Sequence, residues 1–424
     1  MILLLSLYTN IFSQDYWLRV PSPTPQSLTR GFFVDSVYGW AAGDSGTIIS
    51  TTNGGLNWNV QNTGIKNYFI DDVFFLNPTT GWALSNDYLF NGTFVLKTTS
   101  GGAEWSISHF TDTTVIISTI YFTDPLNGYT SGFSGKMFKT SNGGVNWNEC
   151  MLDTTGCPYL AGFPKLRIKF INSTTGYTCG GQYDIQGVIW KTTDAGLSWQ
   201  THCVTPEPLF DIRILNSGNI IACGGDFEFG AITTSSFDNA FSWDYHNTGI
   251  FGVAKDLAFR TDREVWMPLA FAQTWAVNID INNPEEHWRV VPAPDTTAVY
   301  SAVFKSQTFG YAFGTNGAIM KYNTAIIGIT PGGSIIPSSN SLEQNYPNPF
   351  NPSTIINYKL AKAEFVKISL YDITGKLIKV FIEGNRPTGF NRFRFENFGL
   401  ASGVYIYKID AGSFSESKKM LLIK

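Results

Sequence analysis

The sequence predicts an all-β protein, a seven-bladed β-propeller closed by an N-terminal strand and followed by a small C-terminal β-sandwich. Three observations predict it. A turn-forming octapeptide recurs in register five times. A tryptophan anchors the strand after each turn. A Pro- and Gly-containing stretch then separates residues 341–424, which reverse the sign of the net charge.

The first octapeptide is Thr51-Thr52-Asn53-Gly54-Gly55-Leu56-Asn57-Trp58. Thr51 and Asn53 can bond back to the turn backbone. Gly54 and Gly55 supply the positive φ angles a tight hairpin tip requires. The pattern returns at Thr98-Thr99-Ser100-Gly101-Gly102-Ala103-Glu104-Trp105 and at Thr140-Ser141-Asn142-Gly143-Gly144-Val145-Asn146-Trp147. It returns again at Thr192-Thr193-Asp194-Ala195-Gly196-Leu197-Ser198-Trp199, and in worn form at Ser236-Phe237-Asp238-Asn239-Ala240-Phe241-Ser242-Trp243. Self-similarity at a fixed period is the signature of a repeat architecture.

Each unit opens on an apolar strand, such as Val73-Phe74-Phe75, Ile120-Tyr121-Phe122 or Ile168-Lys169-Phe170. Glycine plus an aromatic follows: Gly39-Trp40, Gly81-Trp82, Gly128-Tyr129, Gly176-Tyr177, Gly310-Tyr311. A small-residue strand, a third strand such as Lys136-Met137-Phe138-Lys139, the tip and the tryptophan strand complete four antiparallel strands. The anchors Trp58, Trp105, Trp147, Trp199, Trp243 and Trp288 are spaced at the roughly 40–50 residues of a propeller blade. The last unit, from Val299 to Tyr322, has no tryptophan strand of its own. Asp15-Tyr16-Trp17-Leu18-Arg19-Val20 supplies one, with Trp17 in the anchor place, and leaves no sheet edge open.

The expected organisation is therefore a signal peptide at 1–14, a propeller at 15–323, a linker at 324–340 and a sandwich at 341–424. Ile2 to Phe12 form the apolar core of the signal peptide, with Ser13-Gln14 at its cleavage end. The basic segment expected before it is missing, which suggests a start further upstream. The apolar stretch is too short to span a membrane.

Of the 424 residues, 29 are Lys or Arg and 33 Asp or Glu, a net charge of −4 that gives no footprint for nucleic acid. From residue 341 onward there are 12 basic and 7 acidic residues, against 17 and 26 before it, as expected of two modules with different tasks. Five cysteines without a CxxC pair, and four histidines, predict no metal and no cofactor. Cys150 and Cys157 are close enough in sequence to bridge a loop. Cys179 and Cys223 occupy matching strand positions and read as small buried residues.

The repeat, in the order Phe-Phe-x-x-x-x-x-Gly-Trp then Lys-Thr-Thr-x-Gly-Gly-x-x-Trp, resembles the Asp-box repeats of sialidase-type propellers, and more closely the photosystem II assembly and stability factor family. The resemblance covers about residues 15–322 and implies the fold, not an activity, because Asp boxes are rim hairpins. The C-terminal module carries Asn345-Tyr346-Pro347-Asn348-Pro349-Phe350-Asn351-Pro352, then Leu400-Ala401-Ser402-Gly403-Val404-Tyr405 and Lys418-Lys419-Met420. These signatures resemble the C-terminal sorting domain of the type IX (Por) secretion system of Bacteroidetes-like bacteria. That resemblance implies a partner, the outer-membrane translocon, and a secreted or surface location.

Chemistry is weakly signalled. Trp17-Leu18-Arg19-Val20-Pro21 superficially resembles a sialidase arginine motif, but Arg19 reads as a solvent-facing residue on a closing strand. Arg30, Arg167, Arg213, Arg260, Arg263 and Arg289 share no motif. Asp71-Asp72, Asp211 and Asp256 begin first strands near the axis, where a carboxylate ring could serve a xyloglucanase-like hydrolase. Strand-start caps and solvated turns are the plainer reading. The function expected is a surface scaffold that binds a protein or glycan, with a secreted glycoside hydrolase of sialidase or xyloglucanase type as the alternative.

Overall fold

The computed structural model describes residues 16–325 and 339–423, apart from 88–91, 111, 154, 156, 158–161, 216–217, 271, 285–287, 343, 346–347 and 387–388. The expected signal peptide, most of the expected linker and Pro347 lie outside the described residues. The chain divides into two compact units at Ile327/Gly328.

The described residues of the first unit form seven sheets, consecutive along the chain. The first shows the rule: Leu28–Phe33, Gly39–Gly43, Ile48–Thr51 and Asn59–Val60, each antiparallel to the next. Its second strand is buried throughout, which is why it is built of small residues. Gly39 pairs with Phe33 and leaves its place to that ring, which a Cβ would overlap. Gly81, Gly128, Gly176 and Gly310 stand in the same relation to Phe75, Phe122, Phe170 and Phe304. The glycine–aromatic motif thus seats a phenylalanine face on bare backbone.

The seventh sheet draws on both ends of the unit. Trp17–Val20 runs antiparallel to Ile319–Tyr322, with Trp17 opposite Tyr322 and Val20 opposite Ile319. Trp17 is 1% exposed. Its indole stacks on Trp275 at 5.0 Å and meets Trp266 and Tyr322 edge-on at 5.7 and 5.4 Å. Arg19 is exposed on this strand.

Among the described residues, seven separate apolar cores lie between neighbouring sheets. Trp40, Ile70 and Val73 belong to the core between the first and second. Leu28, Phe33 and Ala41 share one with Tyr311, Phe313 and Ile319 of the seventh sheet.

Two details depart from the four-strand expectation. Met151–Asp153 adds a fifth, parallel strand beside Ser198–Thr205. The inner strand of the sixth sheet is broken into Val253–Ala254 and Ala258–Phe259, with Asp256 in the gap. The disulfide joins Cys157 to Cys203, so the pairing of Cys150 with Cys157 is not formed and Cys150 is a buried thiol. Cys179 and Cys223 are buried and free.

In the second unit Ser341–Leu342, Ser353–Leu360 and Gly389–Glu396 form one sheet. Leu377–Arg386, Glu364–Tyr371, Gly403–Ala411 and Phe414–Leu422 form another. Leu342, Phe350, Ile356, Phe395, Tyr407 and Leu422 belong to its single core.

Trp17→Ala removes the indole around which the seventh sheet packs and should destabilise the first unit by about 3–5 kcal/mol. Thermal unfolding followed by near-UV circular dichroism measures this. A change below about 1 kcal/mol would show that the sheet is held without that strand.

Candidate functional site

The site lies where the seven inner strands converge. In each, a fixed position falls three residues before the strand's last apolar side chain: Arg30, Asp72, Thr119, Arg167, Asp211, Asp256 and Ser301 precede Phe33, Phe75, Phe122, Phe170, Ile214, Phe259 and Phe304. A register shift falls just before this position in six of the strands, and the sixth sheet's break replaces it in the seventh. The bulge turns successive side chains toward the axis.

Five of these, with Arg213 two residues beyond Asp211, form a closed ring of alternating arginine and aspartate. Arg30 Nε lies 3.1 Å from Asp72 Oδ1, and Arg167 Nη1 lies 3.1 Å from the same oxygen. Arg167 Nε is 3.2 Å from Asp211. Arg213 Nη2 lies 3.1 Å from Asp211 and 3.0 Å from Asp256. Arg30 Nη1, 3.8 Å from Asp256, closes the circuit. The acceptors also tie each strand to the next. Asp72, Asp211 and Asp256 accept the N–H groups of Ile120, Leu257 and Ala302 at 3.0, 3.1 and 3.0 Å. Ser301 Oγ accepts from Gly31 N and donates to Asp256 at 2.6 Å.

Asp72, Asp211 and Asp256 are all buried. Burial, opposed by Arg213 and reinforced by neighbouring Asp256, pushes the Asp211 carboxyl up to about 7. Asp256 is buried as deeply, yet Arg213 and Arg30, with hydrogen bonds from Asp211 and Ser301, hold it below the usual carboxylate range. Two neighbouring buried carboxylates cannot both ionise freely, and burial with Asp256 alongside favours the neutral form of Asp211.

The ring divides the axis into two mouths. On the side where the inner strands begin, a cavity of about 730 Å³ is lined by the bulge residues Thr29, Asp71, Ser118, Leu166, Phe210, Lys255 and Tyr300. Phe69, Phe133 and Tyr183 stand around it at 50%, 51% and 40% exposure. Lys255 Nζ lies over the Phe210 ring and 3.2 Å from Tyr183 Oη. On the opposite side a cavity of about 240 Å³ is walled by Phe32, Phe74, Tyr121, Phe259 and Phe304. A separate trio, Asp184, Glu207 and Asp226, brings carboxylate oxygens within 4.8 Å of one another, close enough for a metal.

The structure places Asp72, Asp211 and Asp256 together, as the carboxylate ring reading allowed, but interleaves them with Arg30, Arg167 and Arg213. They are neither solvated turns nor strand caps. Asp71 is displaced by the bulge toward the larger cavity, where it accepts from Asn86 Nδ2 at 2.7 Å. Arg260 pairs with Glu264 and Arg263 lies 3.8 Å from Asp280, both off the ring.

The hairpin tips are regular. Thr51 Oγ1 accepts from Gly55 N at 2.9 Å, and Asn53 Oδ1 from Asn57 N at 3.0 Å. Gly102, Gly144, Gly196 and Ala240 donate to Thr98, Thr140, Thr192 and Ser236 in the same way. Asn142, Asp194 and Asp238 each accept an N–H four residues on. The tips also dock on the preceding sheet, a role their local pattern does not reveal. Trp40 Nε1 donates to Gly101 O, Trp82 Nε1 to Gly143 O, Tyr129 Oη to Ala195 O and Tyr311 Oη to Gly54 O, at 2.8–3.2 Å.

In the second unit the motif residues are fasteners. Asn345 is buried, donates to Thr354 Oγ1 at 2.9 Å through its amide, and gives its backbone N–H to Tyr407 Oη. Asn348 Oδ1 accepts from Leu421 N, and Phe350, between Pro349 and Asn351-Pro352, inserts against Phe395. Gly403 pairs with Leu422, Lys418 with Glu416, and Lys419 O accepts from Gln344.

Residues 344–424 match the profile of the secretion system C-terminal sorting domain over their full span. The second unit is that sorting domain. It marks the protein for export by the type IX system to the cell surface or extracellular space. No described helix is long and apolar enough to cross a membrane. No curated protein matches the chain. Among solved structures, it is similar to YCF48 bound to D1 peptide, at 19% identity over 73% of this chain and 97% of that one, with a TM-score of 0.57. It is similar to YCF48 from Cyanidioschyzon merolae at 18% over 73% and 99%, again with 0.57. The GH74 xyloglucanase from Xanthomonas campestris matches at 10% over 81% and 59%, with 0.57. These likenesses show that the first unit is propeller-like and all-β.

Removing one member of a buried ion pair leaves the other uncompensated. Arg167→Met should therefore cost about 3 kcal/mol in chemical denaturation; a loss below about 0.5 kcal/mol would mean the ring is solvated. The Asp211 proton adds a pH signature. Its folded-state pKa, near 7, lies above the unfolded 3.8, so its stabilisation is complete below 3.8 and is lost as pH rises through 7. The native melting temperature should fall relative to that of Asp211→Asn between about pH 4 and about pH 7. Parallel profiles would show Asp211 ionised throughout.

Proposed function

We propose that residues 15–323 are a seven-bladed propeller closed by Trp17–Val20, joined by the linker 324–340 to a β-sandwich at 341–424, and that the exported propeller is a binding scaffold. The observation that carries this reading is the set of half-exposed aromatic side chains around the 730 Å³ cavity. Exposed aromatics around a concave site are the usual anchors of a bound chain. The ligand we propose is a protein or glycan segment at the cell surface, laid across this face. That one similar propeller is YCF48 bound to D1 peptide supports a binding use of the fold.

The hydrolase reading draws on the likeness to a GH74 xyloglucanase and on Asp211, whose carboxyl near pH 7 has the strength of a general acid. Against it, Asp211 is fully buried and held by two arginines. It is not among the described residues that line either axial cavity. We therefore expect no reducing-sugar release from xyloglucan or sialosides. The binding test is capture from outer-membrane and surface-polysaccharide fractions with the native chain and with Phe133→Ser/Tyr183→Ser. The captured species should be lost with the variant while its melting temperature is unchanged. Equal capture would move the binding surface elsewhere, and reducing-sugar release would restore the enzyme.

The sorting domain should act only in export. A chain lacking 341–424 should keep the propeller's melting transition but remain in the periplasm of a type IX-competent host, as read by cell fractionation. Surface delivery of the shortened chain would remove the sorting role.

A further inference from the structure

The smaller cavity, on the far side of the ionic ring, has a chemistry that the aromatic face lacks. Rings wall it, and the polar groups that converge in it are cationic: Lys169, Arg213 and Lys305. Asp72 is the one carboxylate among its described lining residues, and its oxygens are already engaged by Arg30, Arg167 and Ile120 N. Three arginines and three aspartates pair in the ring, each arginine between two aspartates. Lys169 is a further cation beside them and belongs to none of those pairs. Its ammonium lies 5.8 Å from the centre of the Tyr121 ring and has no carboxylate within 4.0 Å among the described residues. A half-buried cation in an aromatic pocket, with Asp211 and Asp72 nearby but engaged by the arginines, can still take an anion.

We infer that this cavity binds a small apolar carboxylate, its charge against Lys169 and Arg213 and its body against Phe32, Phe74 and Tyr121. The volume of about 240 Å³ is that of about eight waters at ~30 Å³ each, room for a benzene ring with a carboxylate on a short stem. The walls select an apolar body over inorganic phosphate, which would need donors on every side.

The titrating groups set the pH dependence. Lys169 faces Arg213 and Asp211 from one neighbouring strand and Asp72, Arg30 and Tyr121 from others, with Arg167 on its own strand and Lys305 among the residues lining the same cavity. Burial, then Arg213, push its ammonium down to about 8. Below about 7 the proton on Asp211 leaves the ring one positive charge in excess, and Lys169 adds a second. As pH rises, Asp211 ionises first and Lys169 is neutralised next. Affinity for an anion therefore falls across that range while a carboxylate ligand stays ionised.

The test is calorimetric titration of the full chain with 3-phenylpropanoate, and with 3-phenylpropanol as the neutral analogue of the same shape. At about pH 6.5 the acid should bind one saturable site, and the alcohol should bind at least about tenfold more weakly. Acid binding should weaken to a similar degree by about pH 9.5. Lys169→Met should lose about tenfold for the acid, Lys169→Arg should retain binding, and Lys66→Met, which removes an exposed charge elsewhere, should change nothing. No saturable binding of the acid by the native chain, equal affinity for acid and alcohol, or an unaffected Lys169→Met would each overturn the inference. The acid–alcohol comparison uses the native chain alone, so it stands even if Lys169→Met fails to fold.

Discussion

Three arginines and three aspartates meet at the axis of the first unit, with the aspartates out of water, and the arrangement of the inner strands depends on how they are paired. An isolated charge there would be costly enough to unfold the unit or change its protonation. Closed alternation removes that cost, because each cation has an anion on either side. Each carboxylate also accepts a backbone N–H from the next strand, so the ring fixes the relative height of neighbouring sheets as well as their charge balance. Buried ion pairs add little net stability over an apolar core, but they penalise any other register severely.

The periphery is held by different physics. Between the sheets lie seven apolar cores, and the hairpin tips are latched to the preceding sheet by indole and phenol donors. Ionic pairing inside, apolar packing between and polar latches outside together hold the unit. The ring also explains why the axial aspartates are poor candidates for catalysis: their oxygens are spent on arginines and backbone.

The repeat was legible because its turn chemistry is local. Thr51, Asn53 and Gly55 bond within five residues, so the octapeptide announces itself wherever it occurs. The glycine–aromatic pair was legible as a pattern but not as a mechanism, since the phenylalanine that covers Gly39 lies on the paired strand. The sequence offers the axial carboxylates as a possible ring but does not show the arginines between them, for a related reason. Arg30, Asp72, Arg167, Asp211 and Asp256 differ in type and are scattered over more than half the unit. Only their common phase, three residues before the last apolar side chain of each inner strand, marks them as one site. Arg213 stands two residues beyond that phase and could not have been assigned by alignment of the repeats. The Cys157–Cys203 bond was hidden too, because it depends on a strand that crosses to the next sheet. In the sorting domain, Asn345 and Phe350 were read as signature residues, and their burial shows that they are also its fasteners.

Native-state hydrogen exchange tests the central claim most directly, because the ring's carboxylates hold three identifiable amides. If the ring is intact and dry, the N–H groups of Ile120, Leu257 and Ala302 should exchange only with global unfolding, as slowly as amides in the middle of the buried second strands. Exchange of all three at the rate of loop amides, in a chain whose second strands stay protected, would contradict it.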